Sequence, residues 1–177
     1  KPVMWSPVEK TALAEAEVEY HDKESFTVWV KFQVVGTGDA TLDSAKVVIW
    51  TTTPWTMPSN KAVVYGAGIS YGLYEVIGRP EECWARIGER FILSDALAED
   101  VLGRARLDPS MYRRLCDITS EDLAKIQLLH PLHGVEGGAG EWYDIRDFRA
   151  SDFVTDSEGT GFVHCAPSHG LEEIELY

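Results

Sequence analysis

The stretch Lys46-Val47-Val48-Ile49-Trp50-Thr51-Thr52-Thr53-Pro54-Trp55-Thr56-Met57-Pro58-Ser59-Asn60 decides how this chain folds. It opens with an apolar, β-branched run that predicts a buried strand over 46–52. Pro54 and Pro58 fix φ and cannot continue a central strand, so the chain must leave the sheet there. The three threonines before the break offer hydroxyl and methyl groups together, which favours a polar shelf at the strand end. Taken alone, the stretch also fits an ordinary threonine-rich strand terminus.

A second stretch with the same organisation lies at the other end of the chain, where residues 159–173 read GTGFVHCAPSHGLEE. Pro167 breaks this predicted strand, and His164, His169 and two carboxylates crowd around the break. Together the two stretches resemble the editing domain inserted in class I aminoacyl-tRNA synthetases for aliphatic amino acids. The runs WTTTPWT and GTG-x-VH-x-AP-x-HG are typical of the isoleucyl branch. The valyl and leucyl branches carry Thr-Thr-Arg-Pro, and Thr53 stands where that Arg would be.

Length and composition bound the class of protein. The chain has 177 residues, 45% hydrophobic and 25% charged, which fits one globular domain. We therefore expect a single domain over 1–177, and the resemblance implies that it is an excised piece of a larger synthetase. No apolar run approaches the roughly 20 residues that span a bilayer, so no membrane association is expected. Its three cysteines show no Cys-x-x-Cys spacing, which argues against a disulfide framework or structural zinc and for a reducing cytoplasm.

The net charge of −13 bears on how the chain meets nucleic acid. A protein that grips a phosphate backbone presents a basic face, because neutralising phosphates releases counterions. We therefore expect this domain to bind tRNA weakly by itself. The resemblance implies that the remainder of the synthetase holds the tRNA and delivers only its acceptor end.

Strand patterns dominate the chain and predict a mostly β fold with a few helices (α+β). Alternating apolar residues over 26–34 form the clearest strand signal, and the turn at 36–39 predicts a hairpin with the strand over 46–52. Short strands at regular spacing indicate a barrel or sandwich, and the resemblance implies a β-barrel-like domain. Further strands are predicted in the second half of 12–20, at Ala62–Tyr65, Tyr71–Ile77 and Cys83–Ile87, and within Asp144–Thr155.

Helices are predicted mainly within the segment 91–117. Ser94 is placed to cap a helix that ends at Gly103, and 108–116 favours a short second helix. Residues 121–129 are compatible with helix or strand. A last helix is predicted to begin at Glu172.

Several chemistries are open to the residues around Pro167. Five residues and a proline separate His164 from His169, which is unlike catalytic zinc spacing, so no metal is predicted. Cys165 points to the opposite face of a strand from His164, so it is expected to be a buried small residue rather than a nucleophile. A threonine nucleophile needs a positioned base, and none is visible locally.

Attack of water on an ester remains, and the resemblance assigns the residues around it. It implies that Thr51, Thr52, Thr53 and Asn60 line a pocket for the terminal adenosine and the aminoacyl group, and that His164 bounds the side-chain pocket. It also implies that Glu173, where the family usually has Asp, binds the substrate's α-ammonium, with Glu172 as the alternative. Trp50, Thr56 and His169 complete the predicted substrate-binding set, with Pro54 and Pro58 as a stiff floor.

The resemblance implies hydrolysis of valyl-tRNA(Ile), and of valyl-adenylate as a further candidate. One methylene in an apolar cavity is worth only about 1–3 kcal/mol, a limit whose standard illustration is isoleucine against valine in these synthetases. A second site that admits valine and excludes isoleucine multiplies the discrimination. No cofactor is expected in this domain, since ATP and Mg serve the parent enzyme elsewhere. The alternative is a non-catalytic clamp for the tRNA acceptor end.

Overall fold

The structure, a computed structural model, describes residues 3–135, 144–167 and 169. Within these residues the chain forms eleven β-strands and three short α-helices. None of the helices in this part of the chain is long and apolar enough to cross a membrane. The elements are β1 Trp5–Ser6, β2 Thr11–Ala12, β3 Val28–Val35, α1 Ala40–Asp43, β4 Ala45–Thr51, β5 Ala62–Tyr65, β6 Tyr71–Val76, β7 Arg90–Ser94, α2 Ala98–Arg104, β8 Tyr112–Ile118, α3 Ser120–Leu123, β9 Gln127–Leu129, β10 Ile145–Ala150 and β11 Phe162–Cys165, with 3₁₀ helices at Glu15–Glu17 and Pro54–Ser59.

Nine of the strands form one mixed sheet in the order β11-β5-β10-β9-β3-β4-β7-β6-β8, while β1 and β2 pair only with each other. The β10–β5 and β4–β7 pairs are parallel and the other pairs of the sheet are antiparallel. The expectation of a mostly β fold with a few helices is confirmed. The sheet is not closed into a barrel, because β11 and β8 stand at its two edges.

The predicted hairpin is confirmed as β3 and β4, which pair antiparallel with Trp29 opposite Trp50. Burial on both faces of β4 explains its unbroken apolar run. Ile49 and Val47 contribute to one core cluster and Val48 to a second, which packs around α2. β4 therefore ends at the threonines, and the two core clusters hold it from both faces of the sheet.

The predicted helical segment over 91–117 needs correction. Only Ala98–Arg104 is α-helical in this segment, and Tyr112–Ile118 is an edge strand instead of a second helix. Ser94 is the buried last residue of β7 and does not cap the helix, whose N-cap is Leu97. The reason is burial, since the residues just before Ser94 are buried in the sheet between β4 and β6. Sheet burial outweighs a capping preference of about 1 kcal/mol.

Other local predictions divide between confirmed and wrong. The strands at Ala62–Tyr65 and within Asp144–Thr155 are confirmed, and 121–129 holds both a short helix and a short strand. Cys83–Ile87 is not a strand but consists of bends and a turn, and the Cys83 thiol donates to the Ala105 carbonyl. No strand forms over 13–20, where Glu15–Glu17 makes a 3₁₀ turn. The helix predicted from Glu172 lies outside the described residues.

Tyr71 ties β6 to the segment that enters β11. Its hydroxyl donates to the Gly161 carbonyl at 2.7 Å and accepts from the Gly66 N–H at 3.0 Å. Its ring stacks on Phe162 with centroids 4.9 Å apart, and burial raises the pKa of Tyr71 to about 12, which keeps the hydroxyl a donor. Gly161 adopts φ +77°, and a Cβ there would lie 2.6 Å from the Ser94 Cβ. The turn into β11 thus requires glycine for two separate reasons.

A matched pair of substitutions tests this turn. Gly159 and Gly161 both have positive φ, but a Cβ on Gly159 finds its nearest neighbour at 3.8 Å. Gly159→Ala should cost about 1–2 kcal/mol of unfolding free energy from the left-handed backbone alone. Gly161→Ala should cost a further 1–3 kcal/mol, roughly, because it also overpacks Ser94. Urea unfolding measures both, and equal losses would show that the contact with Ser94 is unimportant.

Candidate functional site

The two proline-terminated strands come together at one cavity. The end of β4 and the length of β11 line a cavity of about 220 Å³ that is open to solvent. Thr52, from the first stretch, and His164, from the second, face this shared space. The lining consists of Trp50, Thr51, Thr52, Thr53, Thr56, Val163, His164, Ala166 and His169.

The threonines differ in what their hydroxyls do. Thr51 is buried, and its Oγ1 accepts the Thr53 N–H at 3.1 Å and lies 3.3 Å from the Thr53 Oγ1. Thr52 is exposed and lines the cavity, and its hydroxyl bonds no described residue. One threonine therefore shapes the turn, while its neighbour has a hydroxyl available to a ligand.

His164 is buried and is held through both ring nitrogens. Its Nδ1 lies 3.1 Å from the Asn60 Nδ2, and its Nε2 lies 2.9 Å from the Thr56 Oγ1. The Asn60 amide must point its NH₂ this way, because the same Nδ2 donates to the Ala62 carbonyl at 2.8 Å. Nδ1 is consequently the acceptor and Nε2 carries the proton. Thr56 completes the chain, accepting from Nε2–H and donating to the Thr53 carbonyl at 2.8 Å.

This arrangement fixes the charge and the chemistry of the imidazole. Burial is the main cause that lowers the pKa of His164 to about 4, and the nearby His169 and His130 contribute to the same lowering. The ring is neutral at pH 7, and neither nitrogen is left to accept a proton from water. His164 is therefore a fixed wall of the cavity and not a general base.

Most of the predicted site residues are brought together here. Asn60, predicted to line the pocket, is instead 1% exposed and lies behind His164. Pro54 and Pro58 do not line the cavity; they belong to the 3₁₀ helix that carries Thr56. Cys165 is fully buried in a separate apolar cluster, as predicted. The predicted ammonium anchors, Glu173 and Glu172, lie outside the described residues.

Two lining residues escaped the sequence reasoning. Val163 and Ala166 flank His164 and Cys165 along the chain and add apolar surface to the cavity. The sequence offered only their position within the second motif as an indication that they line the cavity. Within the described residues, no group of three or more His, Cys, Asp or Glu side chains is placed to hold a metal ion.

No family model matches the chain. Along its whole length, however, it is 72% identical to an isoleucine–tRNA ligase of Ruegeria pomeroyi and 51% identical to one of Rhodopseudomonas palustris. It spans 18% and 17% of those relatives' lengths.

Two solved structures share the fold. The GlLeuRS-CP1 crystal structure matches 86% of this chain and 59% of its own with a TM-score of 0.61 at 17% identity. The editing domain of the Plasmodium falciparum cytosolic leucyl-tRNA synthetase matches 78% of this chain and 60% of its own, with a TM-score of 0.56 at 10% identity.

The buried neutral state of His164 predicts a pH dependence of stability. A histidine whose pKa falls from 6.5 to about 4 on folding binds more protons in the unfolded chain between those values. Its contribution is present above pH 6.5 and is lost as the pH falls toward 4, by about 3 kcal/mol in total. His164→Gln removes this titration, so its unfolding free energy should fall less steeply from pH 7 to pH 4.5. Parallel pH profiles from denaturant titration of both proteins would contradict the assigned burial.

Proposed function

We propose that this chain, which belongs to the isoleucyl-tRNA synthetase family and has the fold of the synthetase editing domain, hydrolyses valyl-tRNA(Ile). Water attacks the carbonyl carbon of the aminoacyl ester, and the ester bond to the terminal ribose breaks. The attacking water's hydroxyl stays on valine and its proton passes to the ribose oxygen. Valyl-adenylate is a second candidate substrate, because it presents the same acyl group.

One observation carries the proposal: Thr52 and His164, which lie more than a hundred positions apart in the sequence, face one small cavity. At about 220 Å³ it is smaller than the roughly 300–1,000 Å³ of typical small-molecule sites. It suits an amino acid side chain with its ester, and the remainder of the tRNA end must lie outside. A site of this size supports selection by exclusion.

Exclusion requires a wall that does not yield. His164 is held at Nδ1 by Asn60 and at Nε2 by Thr56, so moving the ring to admit a larger side chain breaks buried hydrogen bonds. Each buried polar group left unpaired costs about 1–3 kcal/mol. That cost adds to the steric penalty of one extra methylene, which favours valine over isoleucine.

The exposed threonine hydroxyls supply the polar side of the site. Thr52 is placed to orient the attacking water or the ribose, because its hydroxyl is uncommitted among the described residues. Catalysis by orientation suffices here, since an aminoacyl ester is already activated. His164 takes no proton, and Glu173, with Glu172 as alternative, remains the proposed ammonium anchor.

The proposed partners follow from the relatives. The chain corresponds to under a fifth of their length, so the remainder of the synthetase supplies the tRNA(Ile) contacts and the ATP- and Mg-dependent ligation. The acidic balance of the chain fits this division, because it offers little attraction to phosphates.

Removing one hydroxyl tests the catalytic side. Thr52→Val keeps the shape of the side chain and should lower deacylation of valyl-tRNA(Ile) by roughly 100- to 1,000-fold, the range for losing one positioned donor. Thr41→Val, at an exposed threonine of α1, is the matched control and should leave the rate unchanged. Binding of tRNA in a gel shift without any turnover by the wild-type chain would instead support the clamp alternative.

Removing the wall tests the selectivity. His164→Ala opens the cavity, so correctly charged isoleucyl-tRNA(Ile) should become a substrate. His130→Ala is the control, because His130 is also buried and hydrogen-bonded, to the Met57 carbonyl, but does not line the cavity. Initial rates with both charged tRNAs measure the effect. Continued rejection of the isoleucyl substrate by a folded His164→Ala chain would remove His164 from the sieve.

A further inference from the structure

We propose that a second cavity, beside the candidate site, binds the nucleobase of the nucleotide that precedes the terminal adenosine of the tRNA. The proposal rests on the proposed function, because the nucleotide concerned is part of the same aminoacyl-tRNA substrate. This Trp29–Trp50 cleft has a volume of about 470 Å³ and is lined by Trp29, Trp50, Leu97, Asp100, Arg104 and Glu158, among others. It is more than twice as large as the candidate site, at about 220 Å³, and lies within the range of ordinary ligand sites.

The cleft is continuous with the candidate site. A depression of about 290 Å³ shares Trp50 and Val163 with the candidate site, and shares Trp50, Glu158 and Gly159 with the cleft. Among the described residues, the cleft and the candidate site share Trp50 alone. The three spaces therefore follow one another around Trp50. This order matches the order of the substrate, which is amino acid, terminal adenosine and preceding nucleotide.

Two indole rings make the cleft an aromatic surface. Trp29 and Trp50 face each other across β3 and β4, with centroids 6.4 Å apart and planes inclined by 40°. Both are half-buried, so each keeps part of its ring open to the cleft. Stacking of a single-stranded base on an aromatic ring contributes roughly tenfold to hundredfold in affinity, whatever the base.

The charges around the cleft favour a base over a phosphate. Asp100 and Glu158 are exposed carboxylates. Arg104, the one cation among the described lining residues, places its Nε 3.4 Å from the Asp100 Oδ1 in an i,i+4 pair. A phosphate would meet net negative charge here, on a chain whose total charge is already −13. The nucleotide before the terminal adenosine in tRNA is cytidine, whose exocyclic amine donates to carboxylates. An aromatic cleft with an acidic rim fits that base.

The experiment compares a long and a short substrate. The whole synthetase, with the wild-type or the Trp29→Leu form of this domain, is assayed with valyl-tRNA(Ile) and with valyl-adenosine, which lacks the preceding nucleotide. Trp29→Leu should raise KM for the tRNA by roughly 10- to 100-fold and leave kcat/KM for valyl-adenosine unchanged. Trp84→Leu is the matched control, because Trp84 is also half-buried but packs on Phe91 away from the cleft. Trp84→Leu should leave KM for the tRNA and kcat/KM for valyl-adenosine unchanged.

A tRNA that is abasic at the preceding position tests the same contact without any protein variant. With this tRNA, KM of the wild type should rise by the same factor as Trp29→Leu causes with intact tRNA. Trp29→Leu should cause no further rise with the abasic tRNA, because the base and the ring form a single contact that is already lost. Full activity of the wild type on abasic tRNA would overturn the cleft proposal, and so would an equal effect of Trp29→Leu on both substrates. Failure of the wild type to hydrolyse either substrate would instead overturn the proposed function.

Discussion

The candidate site depends on one chain of hydrogen bonds, which runs from Asn60 through the His164 ring to Thr56 and on to the Thr53 carbonyl. Its direction is set at the Asn60 end, where the Ala62 carbonyl requires the amide nitrogen. Every later donor and acceptor follows from that requirement. These hydrogen bonds join residues that lie more than a hundred positions apart in the sequence. The two strand ends therefore cannot separate without exposing buried polar groups.

The rest of the fold keeps the partners of that chain in place. β5 lies directly beside β11 and pairs Val63 with His164. Tyr71 fixes the entry to β11 through the Gly161 carbonyl, while Gly161 lets that entry lie against Ser94. The 3₁₀ helix that begins at Pro54 and contains Pro58 carries Thr56 up to the imidazole. A rigid wall results from packing at several independent points, which is what selection by size needs.

Sequence reasoning reached the central strand and the meeting of the two motifs because their signals are local. The β-branched run ending at Thr51 and the prolines that follow it indicate where the strand ends. The motif resemblance then predicts that this strand end lies beside the second motif. It failed at Ser94, where a capping signal competed with burial that only the assembled sheet supplies. It also misplaced Asn60, because whether an amide faces a cavity or the back of a histidine depends on pairing between distant strands.

The most direct test of the account is a structure of this chain with a non-hydrolysable valyl-adenosine analogue. The account predicts the valine methyls against the His164 ring, the acyl carbonyl within hydrogen-bond reach of the Thr52 hydroxyl, and no movement of the imidazole from Asn60 and Thr56. A valine side chain bound away from His164, or an imidazole that swings out to admit it, would contradict the central claim.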